Sequence, residues 1–236
     1  MVGTTTADGE TWTGRYLFGR RTYVEVFGPT DVQGPDAAVG SAGIGLSTHH
    51  RDDMGTLAAR SRDHDGNLEM GRTTRREADQ DIAWFDHLSP SEAMGRLEVW
   101  VMDLLRDPSD LELRATAFEE WAEHRVEVDA DRRTPSLGEV CSIHLDALTS
   151  DIVAAEPLLK AARFVVTRLG DVLSASDKQM KITLEGRAAA AGLRRIEFAL
   201  DSPAASIHLE TLGRSTLTVG PGRHAVWDFE GSSSMQ

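Results

Sequence analysis

Short stretches in which apolar and polar residues alternate recur along most of this chain, and each of them predicts a β-strand. In the first half these stretches cover residues 12–19, 21–29, 43–48, 68–74, 82–88 and 97–104. In the second half they cover residues 139–148, 164–170, 178–186, 193–201, 215–220 and 224–229. The pattern therefore predicts a protein that consists largely of β-sheet.

Apolar residues spaced three and four apart predict helices between some of these strands. The first helix begins at Asp52 or Asp53, which can cap it, and runs to about Asp63 with Met54 and Leu57 on its buried side. A second helix is capped by Ser150 or Asp151, and its inward-facing residues are Ile152, Val153, Leu158, Leu159 and Ala162.

A change of character in the middle of the chain divides it into two halves. Residues 107–137 contain apolar residues at helical intervals and then a polar stretch, which predicts a helix followed by a linker. We therefore expect an N-terminal region at 1–106, a C-terminal region at 138–231 and a disordered tail at 232–236.

Composition narrows the classes of function. The chain has 236 residues and a formal net charge of −13, which opposes binding to nucleic acid or to an anionic membrane surface. No apolar run approaches the roughly 18 residues that span a bilayer, so we expect a cytoplasmic protein. The single cysteine, Cys141, excludes an internal disulfide and a metal site with several cysteines.

Three short motifs suggest a known superfamily. A histidine opens the predicted strand at His144, and an aspartate follows seven residues later, at Asp151, where a helix is expected to begin. Two other apolar strands have a glutamate near the centre, Glu25 in one and Glu98 in the other. In these motifs the chain resembles the vicinal oxygen chelate superfamily, which includes glyoxalase I, bleomycin-resistance proteins and extradiol dioxygenases.

The resemblance implies an α+β fold of repeated βαβββ modules that form cupped, mixed, glyoxalase-like sheets. The strand-opening histidine of a second module would fall near Gly43, which has no side chain. The first βα unit also has too few residues before position 12, so the first module is expected to lack it. A homodimer would cover the sheet edge that this leaves exposed.

The resemblance also implies a divalent metal, for which zinc, nickel, iron and manganese are all compatible. Its ligands would come from His144, Glu25, Glu98 and Asp228, which fall at ligand positions of the superfamily. Glu25 or Glu98 would be the catalytic proton shuttle while the metal polarises a carbonyl or enediolate oxygen. The implied function is a lyase, an isomerase or a dioxygenase-like enzyme.

The alternative is a metal-free protein that binds or sequesters a small molecule, in the manner of the resistance proteins. Tyr23, Phe27, Trp84 and Trp100 would line its groove, and the acidic chain suits a basic ligand. A structural or dimerising subunit with a degenerate cavity is a third possibility. Each candidate also has a plainer interpretation, in which the carboxylates form surface ion pairs and the aromatic rings pack in the core.

Overall fold

The computed structural model describes residues 2–18, 23–28, 30–32, 41–47, 53–77, 79–92, 94–104, 137–187 and 191–229. In this part of the chain the fold is α+β, with two mixed β-sheets and two helices. The helix and linker predicted at 107–137 fall almost wholly outside the described residues, as does the predicted tail at 232–236.

The helices are α1 (Asp53–Arg62) and α2 (Thr149–Ala161). The strands before residue 105 are β1 (Val2–Ala7), β2 (Glu10–Phe18), β3 (Tyr23–Val26), β4 (Ala42–Ser47), β5 (Leu68–Glu77), β6 (Gln80–Pro90) and β7 (Leu97–Leu104). The later strands are β8 (Leu137–Ala147), β9 (Val165–Leu169), β10 (Val172–Ser176), β11 (Lys181–Gly186), β12 (Gly192–Ala204), β13 (His208–Leu212), β14 (Ser215–Val219) and β15 (Gly222–Phe229).

The first sheet contains seven strands in the order β3-β2-β1-β5-β6-β7-β4. Its strands pair antiparallel except for β4, which returns beside β7 in parallel. A parallel pair needs a crossover connection, and α1 with the strands that follow it provides one. Strand β4 therefore lies at one edge of the sheet, next to the last strand of its own segment.

The second sheet contains eight strands in the order β13-β14-β15-β12-β8-β11-β10-β9. Strand β8 pairs in parallel with β11 and antiparallel with β12, so it is a central strand. The segment from β8 through α2 to β11 has the same connectivity as the segment from β4 through α1 to β7.

The main hydrophobic core lies between the two sheets, around the helices. Helix α2 contacts β6 and β7 of the first sheet and β9, β10 and β11 of the second, and α1 packs against α2. The core includes Leu88 and Val101 from the first sheet, Leu158 from α2, and Leu145 and Leu184 from the second sheet. One continuous set of buried side chains thus joins the two halves of the chain.

A second cluster lies where strands β2 and β3 approach the second sheet. Phe198 and Trp227 are buried there, and the partly buried Leu17, Val24 and Val26 pack against the cluster.

Several elements agree with the sequence pattern, whereas others were missed. Helix α1 and strands β6 and β7 lie within two residues of their expected bounds. Three described strands, β1, β10 and β13, were not expected. The edge of β5 is covered within the chain because β1 pairs with it, and a homodimer stays a prediction. Neither described helix is long and apolar enough to cross a membrane.

Candidate functional site

A cluster of charged side chains lies on the face of the second sheet that is turned away from the core. Leu145 of β8 and Leu184 of β11 point into the core, so their neighbours in each strand point to the opposite face. These neighbours include His144 and Asp146 in β8 and Glu185 in β11. Because β8 and β11 pair in parallel, with Asp146 opposite Glu185, the three side chains meet.

The three residues are close enough to share one metal ion. One ligand atom from each of His144, Asp146 and Glu185 lies within 4.8 Å of the other two. His144 Nε2 is buried and lies 3.3 Å from Glu185 Oε2, in a geometry outside that of a hydrogen bond. An imidazole nitrogen and two carboxylates form a donor set that suits a borderline divalent ion such as zinc.

Two arginines already neutralise the carboxylates of this cluster. Arg194 Nε donates a hydrogen bond to Asp146 Oδ2 at 2.5 Å, and Arg187 Nε lies 3.2 Å from Asp146 Oδ1. Arg187 Nη2 donates to Glu185 Oε1 at 2.9 Å. Asp146 is only 3% exposed, and a buried carboxylate needs such partners. Arg187 therefore contacts both carboxylates that a metal at this cluster would also need.

A cavity of about 400 Å³ lies on the outward face of the first sheet. Leu97, Val99 and Val101 of β7 are buried, whereas Glu98 and Trp100 alternate with them and line the cavity. The other lining residues come mainly from β5, β6 and the loop before β7, and they include Thr73, Phe85, His87, Ser89, Glu92 and Met94.

The indole of Trp100 lies over two glycines of the neighbouring strand β4. A Cβ on Gly43 would come within 2.7 Å of the ring, and one on Gly45 within 2.9 Å. Because real Cβ atoms do not approach so closely, larger residues at these positions would lift the indole off the strand. The ring of Trp100 therefore occupies the space that a side chain at position 43 would need.

His87 lies on β6, opposite Gly71 of β5, and borders the same cavity. Its ring occupies the space where a side chain at Gly71 would begin. The ring also makes an edge contact with Phe85, with 6.0 Å between centroids. His87 Nδ1 is buried and has no hydrogen-bond partner among the described residues.

The remaining predicted site residues of β3 lie apart from this cavity. Glu25 is half-buried, and its Oε1 accepts a hydrogen bond from Trp12 Nε1 at 3.2 Å. Phe27 is 40% exposed and follows the end of β3. Tyr23 belongs to β3, opposite Phe18, and its side chain lies outside the described residues.

Asp228 is separated from His144 by Arg195, which lies opposite both residues in the pairing of β15, β12 and β8. Trp84 is not among the described residues that line the cavity with Trp100. Asp228 Oδ1 accepts a hydrogen bond from Arg195 Nε at 2.7 Å across β15 and β12. Trp84 packs edge to face against Phe85, with 5.0 Å between ring centroids. The predicted ligand positions are therefore distributed over two sheets: Glu25 and Glu98 on the first, His144 and Asp228 on the second.

Comparison with models of protein families matches residues 1–229 to a family of unknown function, DUF5829. The chain belongs to this family. The match covers almost all of its length, including both sheets, so the DUF5829 unit extends over both halves. Among curated proteins, no significant match was found.

Sequence reasoning missed four members of the charged cluster of this DUF5829 protein: Asp146, Glu185, Arg187 and Arg194. A signal for two of them was present, because Asp146 shares the outward face of its strand with His144, and Glu185 occupies a predicted strand with apolar neighbours. What was missing was the pairing of the two strands. No local pattern shows that β11 lies beside β8 rather than at an edge.

Proposed function

We propose that this protein is a glyoxalase-like, metal-free binding protein for a small organic molecule. Its ligand occupies the cavity beside Trp100 on the outward face of the first sheet. The observation that carries the proposal is the combination of an aromatic surface, a carboxylate and an imidazole around one cavity, supplied by Trp100, Glu98 and His87.

The connectivity of two segments supports the glyoxalase-like part of the proposal. In each segment a strand leads through a helix to three further strands, and the first strand pairs in parallel with the last. This is the arrangement expected from the resemblance to the vicinal oxygen chelate superfamily. In each segment the helix packs on one face of the sheet, and the opposite face carries the cavity or the charged cluster.

The size and lining of the cavity support small-molecule binding. Its volume of about 400 Å³ falls in the range of roughly 300 to 1000 Å³ that is usual for such sites. Such sites combine apolar and aromatic walls with a few polar groups that orient the ligand. Phe85, Met94 and Trp100 supply the apolar and aromatic walls, and Glu98 and His87 supply the polar groups.

A metal-dependent glyoxalase-like enzyme is the second candidate, and the short distances within the cluster of His144, Asp146 and Glu185 favour it. The donor atoms fit a divalent ion, which would polarise a carbonyl or enediolate oxygen of a substrate. Arg187 and Arg194 weigh against this candidate because they form ion pairs with the same carboxylates. Two of the cluster's atoms, His144 Nε2 and Asp146 Oδ1, are nevertheless buried without a hydrogen-bond partner among the described residues. Because of the two arginines, we rank this candidate below the metal-free protein.

A fragment screen tests the proposed function. Saturation-transfer NMR with a library of cationic, neutral and anionic fragments should give hits for the native protein. The variant Ser89→Phe should lose these hits, because Ser89 borders the cavity and a phenyl ring there fills it. The variant Ser202→Phe adds the same ring at an exposed position of the second sheet and should keep them. Hits that survive Ser89→Phe would contradict the proposal, as would the absence of hits.

A further inference from the structure

Strand β13 forms one edge of the second sheet, and in the part of the chain that the structure describes it pairs only with β14. All five of its residues are exposed, including Leu209 at 64% and Leu212 at 41%. Ile207, directly before the strand, is 61% exposed. An apolar edge strand is a template for pairing with another strand, and proteins that keep such an edge free often place lysine or proline on it. Residues 207–212 contain neither, so this edge suits a further strand.

The turn after β13 determines which of its backbone groups face the open edge. A two-residue turn at 213–214 connects Leu212 to Ser215, which are paired, and a hairpin of this kind closes with a hydrogen-bonded pair. Hydrogen-bonded and non-hydrogen-bonded pairs alternate along an antiparallel ladder. The N–H and C=O groups of Leu209 and Thr211 therefore point away from β14, toward the open edge.

Two polar side chains flank Leu209 in the strand. Because side chains alternate between the faces of a strand, His208 and Glu210 share the face opposite to that of Leu209. His208 Nε2 lies 4.0 Å from Glu210 Oε2, at the outer limit of an ion pair, and the two side chains are 64% and 54% exposed. Each can therefore accept a further partner from outside while this contact within the chain is kept.

We infer that the open edge of β13 is a homodimer interface, in which β13 of a second copy pairs antiparallel about a twofold axis at Leu209. In this register Leu209 faces Leu209 of the second copy as a hydrogen-bonded pair, and Ile207 faces Thr211. His208 of each copy then lies opposite Glu210 of the other, on both sides of the axis. A register centred on Glu210 would instead place like charges opposite each other, which is destabilising. The edge is thus self-complementary, as a twofold interface requires.

The other edge of the second sheet, β9, has apolar surface but lacks this charge pattern. Val165 is 70% and Leu169 is 87% exposed. Arg168 is the one charged residue of β9, and it pairs with Glu156 of α2 at 3.3 Å. Two β9 strands would therefore have no opposite charges to fix their register, so β9 serves as a matched control. The interface lies on the second sheet and the ligand cavity on the first, so this inference is independent of the proposed function.

Sedimentation velocity over a concentration range of about 1 to 500 μM tests the inference. About six residues from each copy make an interface smaller than the usual size, so the dissociation constant should lie near 10 to 100 μM, an order-of-magnitude estimate. Leu209→Lys should raise this constant at least about tenfold, because two lysines then meet at the axis. Leu169→Lys makes the same change on β9 and should dimerise like the native protein. Circular dichroism checks that both variants are folded.

An exchange of charges tests the register. Glu210→Lys alone places a lysine opposite His208 of the second copy, and His208→Glu alone places two glutamates opposite each other. Each single variant should weaken dimerisation about fivefold, since two cross-strand pairs are lost. The double variant restores opposite charges in both pairs, and its dissociation constant should return to within about twofold of the native value.

Cross-linking tests the position of the axis. Opposed residues in a hydrogen-bonded pair have Cα atoms about 5.5 Å apart, which is within the range of a disulfide. In a Cys141→Ser background, Leu209→Cys should therefore oxidise to a covalent dimer, whereas Leu169→Cys should stay monomeric.

Three outcomes would overturn the inference. The first is a native protein that stays monomeric at the highest concentration. The second is a dimer that Leu169→Lys dissociates and Leu209→Lys does not, because the interface would then lie at β9. The third is a double charge variant that associates no better than either single variant, because His208 would then not lie opposite Glu210.

Discussion

The carboxylate of Asp151 accepts a hydrogen bond from the backbone N–H of Gly95 at 2.8 Å. The same carboxylate accepts the N–H groups of Arg96 at 3.1 Å and Leu97 at 3.2 Å. Asp151 lies in the first turn of α2, whereas the three amides lead into β7, so this contact joins the two halves of the chain. Asp151 is 1% exposed, and its carboxylate accepts hydrogen bonds from all three backbone amides.

The first prediction concerns this joint. Asp151→Asn should lower the free energy of unfolding by about 2 to 3 kcal/mol, because hydrogen bonds to a buried charged group are among the stronger ones. Urea unfolding followed by circular dichroism measures the change. Asp171→Asn is the matched control, since Asp171 is exposed in the turn between β9 and β10. Equal stability of the two variants would show that the carboxylate does not hold β7 to α2.

A second prediction concerns the buried pair of Trp227 and Ser215. Trp227 Nε1 donates a hydrogen bond to Ser215 Oγ at 2.8 Å, and both residues are buried. Ser215→Ala leaves the indole N–H without its acceptor and should cost about 1 to 2 kcal/mol of unfolding free energy. Ser202→Ala, at an exposed position, should cost almost nothing. Thermal unfolding of both variants would measure the difference, and no loss for Ser215→Ala would contradict the pairing.

Removal of Arg187 tests how the charged cluster is neutralised. The guanidinium of Arg187 pairs with the carboxylates of Asp146 and Glu185. Because Arg187→Gln removes this competing positive charge, the variant should bind zinc about tenfold more tightly than the native protein. Calorimetric titration with zinc measures this. Arg223→Gln, on β15, removes an arginine outside the cluster and should behave like the native protein. Tight zinc binding by the native protein would instead support the metal-dependent enzyme.

Low pH should lower the free energy of unfolding, partly through protonation of Glu156. Hydrogen bonding from Lys160 holds the pKa of Glu156 below its ordinary value of 4.5, and Arg168 contributes in the same direction. A folded pKa below the unfolded one means that the unfolded state binds more protons, so this stabilisation is present above about pH 4.5 and is lost as pH falls through the folded pKa.

The variant Glu156→Gln checks this contribution. At pH 7 it should be less stable than the native protein by no more than about 1 kcal/mol, since the pair is partly solvated. The difference should shrink as the pH is lowered toward 3. Urea midpoints at both pH values measure it, with Glu10→Gln as the exposed control. A difference that grows in acid would refute the assigned direction of the pKa.

Local pattern was enough for most of the second sheet and for α1. Strands β11 and β15 alternate apolar and polar residues, and that period alone predicts which face each side chain takes. Strands β8 and β12 were also predicted, but register shifts between them interrupt the alternation. Strands β1 and β13 were not predicted because their side chains are mostly small, polar or exposed. Their strand conformation depends on backbone pairing with neighbours that are not visible in the local pattern.

Prediction of the candidate sites was limited in the same way, because contacts between strands are not visible in the local sequence pattern. Glu98 and Trp100 are two residues apart in one predicted strand, so the local pattern is enough to place them on one face. Their cavity also needs His87, and the seat of the indole needs Gly43, which come from other strands. The separation of Glu25 from His144 depends on how the strands divide between two sheets. That division is set by long-range packing and has no local signal.

The central claim is that a small molecule binds beside Trp100, and the indole N–H signals of the five tryptophans report on it most directly. In ¹⁵N-correlated NMR spectra, assigned with Trp100→Phe and Trp227→Phe, hits from the fragment screen should shift the signal of Trp100 in a saturable manner. The signal of Trp227, buried in the second sheet, should stay in place. Saturable binding that leaves the Trp100 signal unmoved would contradict the account.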